Sequence, residues 1–203
     1  NALGVLNLLE AYRRNCPKAK FYQASSSEMF GLTVDDDGFQ RETTVMNPVS
    51  PYGCSKVFGF NIVRNYRRAY KLHATNGILF NHESPRRASN FVTSKVVKAA
   101  IRIKLGVQNV LELGNMDSYR DWGHSKDYVK AFSHLGLNYK DYVVQNPKFM
   151  RPEELPYLRG DSTKIRKELG WEPEYTFKML MKEMVDHWLP IISKSVENQQ
   201  ANL

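Results

Sequence analysis

Residues 50–80 read SPYGCSKVFGFNIVRNYRRAYKLHATNGILF, and this stretch combines a helix with a strand that follows it closely. Pro51 suits the first turn of a helix, where its missing N–H has no intrahelical partner to lose. Apolar side chains then recur at helical spacing from Val57 to Tyr66. The run 73–80 (HATNGILF) predicts a buried strand. Helices that alternate with strands are typical of α/β proteins, in which crossover helices join parallel strands.

The same order of elements appears on both sides of this stretch. Residues 4–14 show helical spacing and precede a strand-like run at 20–25. A further helix is predicted over residues 90–105, and a further strand over residues 109–113. We therefore expect an α/β fold built on a parallel sheet.

The C-terminal part gives weaker predictions. We expect a short helix at 127–132 and a strand at 142–144. Asp161 or Ser162 is predicted to cap a helix that ends at residue 169. An amphipathic helix is predicted over 176–188, with its methionines and aromatics in the core, and the polar tail after Pro190 is expected to fray.

Composition narrows the class of protein. The chain has 203 residues, of which 42% are hydrophobic and 25% charged, as in a soluble globular domain. No apolar run approaches the roughly 20 residues of a membrane span. Cys16 and Cys54 match no metal-site or disulfide spacing, which favours a reducing, cytoplasmic setting without a metal. The net charge is +8, but the basic residues form no long run, so nucleic-acid binding is disfavoured.

Tyr52 and Lys56 are the first candidates for chemistry. Residues four apart lie on one face of a helix, one turn from each other. A neighbouring ammonium favours the phenolate form of a tyrosine, which lets its oxygen exchange protons with a substrate. Because this spacing also recurs by chance on helix surfaces, the pair needs support from its neighbours.

Polar clusters follow the predicted strands at 20–25 and 73–80. Residues 25–28 (SSSE) follow one, and residues 81–87 (NHESPRR) follow the other. The carboxyl ends of parallel strands line the ligand crevice of an open sheet, so both clusters are candidate site residues. Ser25 and Glu28 fit a helix capping box equally well, since they are three residues apart. The two arginines suit either phosphate recognition or ordinary surface ion pairs.

Five phrases carry a family resemblance when they are taken together. They are FYQASSSEMFG at 21–31, SPYGCSK at 50–56, NGILFNHESPRR at 76–87, GNMDSYRDWGH at 114–124 and RPEELPYLRGDSTKIRKELGWEP at 151–173. In this order they resemble the GDP-mannose 4,6-dehydratase family of extended short-chain dehydrogenases/reductases. The resemblance spans most of the chain.

The resemblance implies a Rossmann-like parallel sheet with helices on both faces, which holds NADP, and a smaller C-terminal lobe, which holds GDP-mannose. Residues 1–82 would be the C-terminal portion of the NAD(P)-binding domain. Residues 83–203 would be mainly the substrate lobe, with 114–132 returning to the Rossmann domain. Members of this family assemble as dimers or tetramers, so a homo-oligomer is expected.

Site residues carry over from the matching motifs. The catalytic set is Ser26, where the family usually has threonine, with Glu28, Tyr52 and Lys56. The cofactor-binding set is Tyr52, Lys56, His82 and Arg87. The substrate-binding set is Asn81, Asn90, Lys95, Arg120, Arg151 and Glu154.

The reaction implied by the resemblance begins at C4 of the mannose. Tyr52 takes the proton of the 4-hydroxyl while NADP accepts hydride from C4. Glu28 then removes the C5 proton and helps to expel the 6-hydroxyl as water, and hydride returns to C6 to give GDP-4-keto-6-deoxymannose. One alternative is an NAD(P)-dependent sugar-nucleotide epimerase or reductase, which does not need a glutamate two residues after the catalytic hydroxyl. A second is a non-catalytic remnant that binds nucleotide-sugar.

Two departures from the family pattern set a further expectation. The sequence contains no glycine-rich G-x-G-x-x-G turn to receive a dinucleotide pyrophosphate, since Gly31 and Gly53 are isolated. The family has a further strand and helix where this chain continues directly after Ala131. We therefore expect a partial chain that lacks the N-terminal nucleotide-binding half and is inactive by itself.

Overall fold

The computed structural model describes residues 1–125, 143–145 and 155–200. The helices are α1 (Ala2–Asn15), α2 (Pro51–Tyr70), α3 (Val92–Lys104), α4 (Thr163–Leu169) and α5 (Phe177–Gln200). The strands are β1 (Phe21–Ser26), β2 (Ala74–Leu79), β3 (Asn81–Glu83), β4 (Leu111–Leu113), β5 (Tyr119–Arg120), β6 (Trp122–His124), β7 (Val143–Gln145) and β8 (Tyr157–Leu158).

The chain divides into two units. Unit 1 comprises Asn1–Phe80, Tyr119–Asp121 and Leu155–Lys164. Unit 2 comprises Asn81–Ser118, Trp122–Glu154 and Ile165–Leu203. The assignment of cofactor and substrate binding to separate stretches of chain stays a prediction.

Unit 1 is built on the parallel pair β1–β2, which runs in register from Phe21 opposite Ala74 to Ser26 opposite Leu79. Helices α1 and α2 pack together and against this pair. Their buried side chains form one apolar cluster, whose members are Val5, Leu9, Tyr12, Val63, Tyr66, Leu72 and Ala74. The predicted alternation of helices and strands is confirmed, and so is the parallel pairing of the strands.

A loop in unit 1 is tied to a distant part of the chain through Gln40 and Arg41. The Gln40 N–H donates to the Arg159 carbonyl at 2.8 Å, and the Asp161 N–H donates to the Gln40 carbonyl at 3.0 Å. The Arg41 guanidinium forms ion pairs with Asp37 at 2.6 Å, Asp161 at 2.7 Å and Asp35 at 3.0 Å. These contacts hold residues 35–41 beside residues 159–161.

Unit 2 is centred on the packing of α3 against α5. The buried cluster consists of Val97, Ile101, Leu180, Met184, Val185 and Ile192. Trp122 stacks on Phe177 with ring centroids 5.5 Å apart. The parallel pairs β3–β6 and β4–β7 complete the described part of this unit. The prediction that the α5 methionines serve the core is confirmed for Met184.

The prediction that the chain frays after Pro190 is wrong, because α5 continues to Gln200. A proline inside a helix removes one backbone hydrogen bond and costs about 3 kcal/mol. Ile192 is buried beyond the proline, and Val196 packs against the same core. Apolar contacts on both sides of Pro190 therefore keep the helix intact.

Other predicted boundaries are close to the observed ones. The Asp161 carboxylate accepts a hydrogen bond from the Thr163 N–H at 2.9 Å, so Asp161 caps the start of α4 as predicted. Strand β7 lies one residue beyond its predicted range. The helix predicted at 127–132 lies outside the described residues. Among the described helices, none has the length and apolar character needed to span a membrane.

Arg41 provides a test of the loop attachment. Its hydrogen bonds hold the pKa of Asp37 at about 2, below the value of about 3.9 for an unfolded aspartate. A lowered pKa in the folded state contributes stability above about pH 4 that is lost as the pH falls toward about 2. We expect Arg41→Gln to lower the thermal unfolding midpoint at pH 7, and the difference from wild type to shrink between about pH 4 and 2.

The matched control is Lys18→Gln, which removes an exposed positive charge elsewhere in unit 1. Circular dichroism melts over the pH range would measure both variants. The role of Arg41 in the loop attachment would be contradicted if Arg41→Gln were as stable as wild type at pH 7. It would also be contradicted if the difference in unfolding midpoint did not depend on pH.

Candidate active site

The C-terminal end of β1 is fixed by a buried hydrogen-bond chain. Ser25 is 3% exposed, and its hydroxyl donates to the Asn76 side-chain oxygen on β2 at 3.2 Å. The Asn76 amide in turn donates to the Phe60 carbonyl on α2 at 3.1 Å. Strand β1, strand β2 and helix α2 are thereby joined at the point where the polar cluster begins.

Ser25 does not form the capping box that its spacing from Glu28 allowed. Ser26 caps the single 3-10 turn at Ser27–Met29, and its hydroxyl oxygen accepts from the Glu28 N–H at 3.2 Å. Ser25 cannot fill that role because strand alternation directs its side chain the other way. A hydroxyl that accepts one hydrogen bond still has its own hydrogen to donate to a ligand.

Glu28 lies on a well-anchored turn. Met29 and Phe30, which follow it, are fully buried, and Phe30 stacks on Phe80 with ring centroids 6.3 Å apart. The Glu28 side chain is only partly buried. The anchored backbone therefore presents a carboxylate that a ligand can reach.

Ser50 joins Glu28 to the start of α2, and the sequence prediction missed it. As the residue before the helix, Ser50 accepts a hydrogen bond from the Gly53 N–H at 3.0 Å. The same hydroxyl donates to the Glu28 carboxylate oxygen Oε2 at 3.1 Å. The Ser-Pro dipeptide could have revealed the cap, but nothing local in the sequence indicates the contact with Glu28.

Two glycines permit this close packing. A Cβ atom on Gly53 would lie 2.8 Å from the Glu28 carbonyl oxygen and 2.9 Å from Pro48 Cβ. Gly31 has a φ of +58°, and a Cβ there would lie 1.7 Å from the Asn47 carbonyl oxygen. Any larger residue at either position would push the turn away from α2. The glycines that looked isolated in the sequence thus hold the site together.

Tyr52 and Lys56 lie in the first turns of α2. The Lys56 ammonium donates to the Ala24 carbonyl at 2.8 Å and lies 5.5 Å from the centroid of the Tyr52 ring. Tyr52 is 44% exposed, so a ligand can approach it. An ammonium has three hydrogens to donate, and the bond to Ala24 uses one. All four predicted catalytic residues belong to unit 1.

In unit 2, the predicted cofactor residue Arg87 is held by a buried carboxylate. Glu83 is 2% exposed and lies 3.0 Å from the Arg87 Nε atom. It also accepts a 2.5 Å hydrogen bond from the Thr93 hydroxyl. Burial raises the pKa of Glu83, against the opposing effects of Thr93 and Arg87. The Arg87 guanidinium lies 3.4 Å from the centroid of the Phe91 ring, and His82 lies on β3.

The predicted substrate residues are only partly described. The buried side-chain nitrogen of Asn81 has no acceptor among the described residues, a costly arrangement that a ligand acceptor would relieve. Asn90 is exposed, and the Lys95 ammonium donates to the Glu112 carbonyl at 2.6 Å. Arg120 belongs to unit 1, where it donates to the Leu155 carbonyl. Arg151 and Glu154 lie outside the described residues.

Comparison with known proteins identifies the family. The family model described as GDP-mannose 4,6 dehydratase matches residues 1–144 and 134–184. The chain belongs to the GDP-mannose 4,6 dehydratase family.

Curated relatives agree with this membership. GDP-mannose 4,6 dehydratase 2 of Arabidopsis thaliana is 43% identical over 227 residues, an alignment that covers 95% of this chain and 60% of the relative. GDP-mannose 4,6 dehydratase of Homo sapiens is 38% identical, with 91% and 62% covered. The chain thus spans about 60% of the length of these two relatives.

Solved structures share the fold at lower sequence identity. The structure of RMD from Pseudomonas aeruginosa complexed with NADPH has a TM-score of 0.78 and 23% identity, covering 93% of this chain and 72% of that one. UDP-glucose 4-epimerase from Thermotoga maritima has a TM-score of 0.76 and 21% identity, covering 94% and 69%. These similarities confirm the predicted α/β fold.

Gly53 tests the close packing at the site. We expect Gly53→Ala to destabilise the chain by about 1 to 3 kcal/mol, because the added methyl overlaps the Glu28 backbone and Pro48. Gly4→Ala is the matched control, since a Cβ at that position in α1 meets nothing within 4 Å. Alanine there should stabilise the helix by about 0.5 to 1 kcal/mol.

Urea denaturation would measure the free energy of unfolding of both variants. Equal effects of the two substitutions would show that the packing of α2 against Glu28 is less tight than described.

Proposed function

We propose that this protein is a lyase that converts GDP-mannose to GDP-4-keto-6-deoxymannose and water, with NADP as its cofactor. The observation that carries the proposal is the hydrogen-bonded set Ser26–Glu28–Ser50 at the start of the helix that bears Tyr52 and Lys56. A hydroxyl, a carboxylate and a tyrosine–lysine pair are the groups that a combined oxidation and dehydration requires. Membership of the family supports the same reaction.

Tyr52 acts first as a general base. Its oxygen takes the proton of the 4-hydroxyl of the mannose, with the Lys56 ammonium close to the ring. When bound, NADP would supply the hydride acceptor for C4 and the hydride donor for C6, and the proton held by Tyr52 would then go to C5. Tyr52, Lys56, His82 and Arg87 are the residues that would hold it.

Glu28 carries out the dehydration. A keto group at C4 makes the neighbouring C5 hydrogen acidic, and the Glu28 carboxylate removes it as a proton. The protonated carboxyl group then delivers that proton to the departing 6-hydroxyl, which leaves as water. The Ser26 hydroxyl, whose oxygen already accepts from the Glu28 N–H, donates its own hydrogen to the 4-oxygen.

Substrate binding is assigned to the polar residues that the family resemblance implies. The buried Asn81 nitrogen gains an acceptor from the sugar nucleotide. The remaining members of the proposed set are Asn90, Lys95, Arg120, Arg151 and Glu154. On this proposal, residues 1–82 serve mainly the cofactor and residues 83–203 the substrate, with 114–132 returning to the cofactor domain.

The proposed setting is the reducing cytoplasm, with a homo-oligomer as the working form. Cys16 and Cys54 are both free thiols, which fits a reducing compartment. Family membership supports the oligomer.

Glu28→Gln tests the proposed chemistry. Glutamine keeps the size of the side chain but cannot take up the C5 proton, so we expect the 4-keto-6-deoxy product to fall by at least about 100-fold. Binding of GDP, measured by isothermal titration calorimetry, should persist. Because the chain is expected to be inactive by itself, the assay supplies the N-terminal nucleotide-binding half of a family member. Products from GDP-mannose and NADP⁺ would be separated by chromatography and identified by mass.

The control variant is Glu42→Gln, which neutralises an exposed carboxylate in the 33–47 loop. It should form product at the wild-type rate. Wild-type activity in Glu28→Gln would overturn the role of Glu28. A wild-type protein that forms an isomer without loss of water would instead favour an epimerase, and binding without turnover would favour a nucleotide-sugar-binding role.

A further inference from the structure

The Ser50 hydroxyl lies between two groups that fix the direction of its hydrogen bonds. The Gly53 backbone N–H can only donate, so the Ser50 oxygen must accept that bond, at 3.0 Å. The single hydroxyl hydrogen is then directed to Glu28 Oε2, at 3.1 Å. The Glu28 carboxyl oxygen is therefore held by a donor whose own position is fixed at the start of α2.

We propose that Ser50 is a positioning residue that holds the Glu28 carboxyl group in place to accept the C5 proton. The inference rests on the proposed function, in which Glu28 is the base for dehydration. In this proposal Ser50 acts through Glu28.

The start of α2 reinforces this effect. The helix is 20 residues long and has no acidic residue in its first turn, so the partial positive charge of its N-terminal amides faces no side-chain anion of its own helix. Through Ser50, the Glu28 carboxylate is attached to that end. The carboxyl group is thereby held at the positively polarised start of α2.

The attachment also sets geometry. Tyr52 and Lys56 follow Ser50 within the first two turns of α2, and the missing Cβ of Gly53 lets this end approach the Glu28 backbone. The Ser50 hydroxyl therefore connects the two residues that take up protons. It lies at the start of the helix that carries Tyr52, which acts at C4, and it bonds to Glu28, which acts at C5. Loss of the Ser50 hydroxyl should slow the removal of the C5 proton and leave the oxidation at C4 unchanged.

Ser50→Gly separates the positioning role from helix capping. Glycine at this position costs a helix only a few tenths of a kcal/mol relative to serine, whereas the hydrogen bond to Glu28 is lost completely. Ser50→Thr keeps the hydroxyl and serves as the rescue variant. Thr176→Gly is the matched control, since the Thr176 hydroxyl accepts from the Met179 N–H near the start of α5 without involvement of Glu28.

We expect Ser50→Gly to lower kcat for dehydration about tenfold, as the loss of a hydrogen bond to a charged group would. KM for GDP-mannose should stay within about twofold, because Ser50 makes no contribution to binding in this proposal. The pH–rate profile should also differ from that of the wild-type protein. The initial oxidation at C4, followed as transient NADPH absorbance, should keep its wild-type rate.

Ser50→Thr should restore the wild-type kcat and pH profile, and Thr176→Gly should not change either. Unchanged kcat and pH profile in Ser50→Gly would overturn the inference. So would failure of Ser50→Thr to recover activity in a protein that unfolds at the wild-type temperature.

A second measurement does not depend on turnover. The side-chain carboxyl ¹³C resonance of Glu28, assigned through its absence in Glu28→Gln, should move in Ser50→Gly and stay in place in Thr176→Gly. An unmoved resonance in Ser50→Gly would contradict the contact. If the wild-type protein forms no product, the proposed function fails, while this resonance still decides whether Ser50 holds Glu28.

Discussion

The close approach of α2 to the backbone of Glu28 is the constraint on which the candidate site depends. It requires a residue without a side chain at Gly53 and a left-handed backbone at Gly31. The Ser50 hydroxyl caps this end of α2 by accepting from the Gly53 N–H. Once these requirements are met, Tyr52 and Lys56 are delivered to the end of β1 by the rigid helix that carries them.

Much of the fold follows from local sequence, because α2 and β2 are long enough to show their periodicity. Strand β5 has two residues, and it exists because Tyr119 and Arg120 pair with Tyr157 and Leu158 far along the chain. No periodicity can reveal so short an element. The helix beyond Pro190 was missed for a related reason, since the apolar packing of Ile192 outweighs the local cost of the proline.

The candidate site also has features that the sequence indicates and features that depend on tertiary structure. Tyr52 and Lys56 are indicated by helical spacing, and the cluster at 25–28 is indicated by its place after a strand. The resemblance to a known family then assigned roles to Ser26 and Glu28. The contact between Ser50 and Glu28 spans 22 residues and depends on how α2 packs against the 3-10 turn. Contacts of this kind come from tertiary structure, so sequence patterns could reveal the cap at Ser50 but not its partner.

The two carboxylates at the strand ends show how surroundings decide between chemical and structural roles. Glu83 is 2% exposed and paired with the Arg87 guanidinium, so a proton taken up there would break a buried ion pair. Glu28 is partly exposed, and the Ser50 hydroxyl donates to its carboxyl group. A substrate can reach a partly exposed carboxyl group, whereas the buried Glu83 is suited to hold an arginine in place.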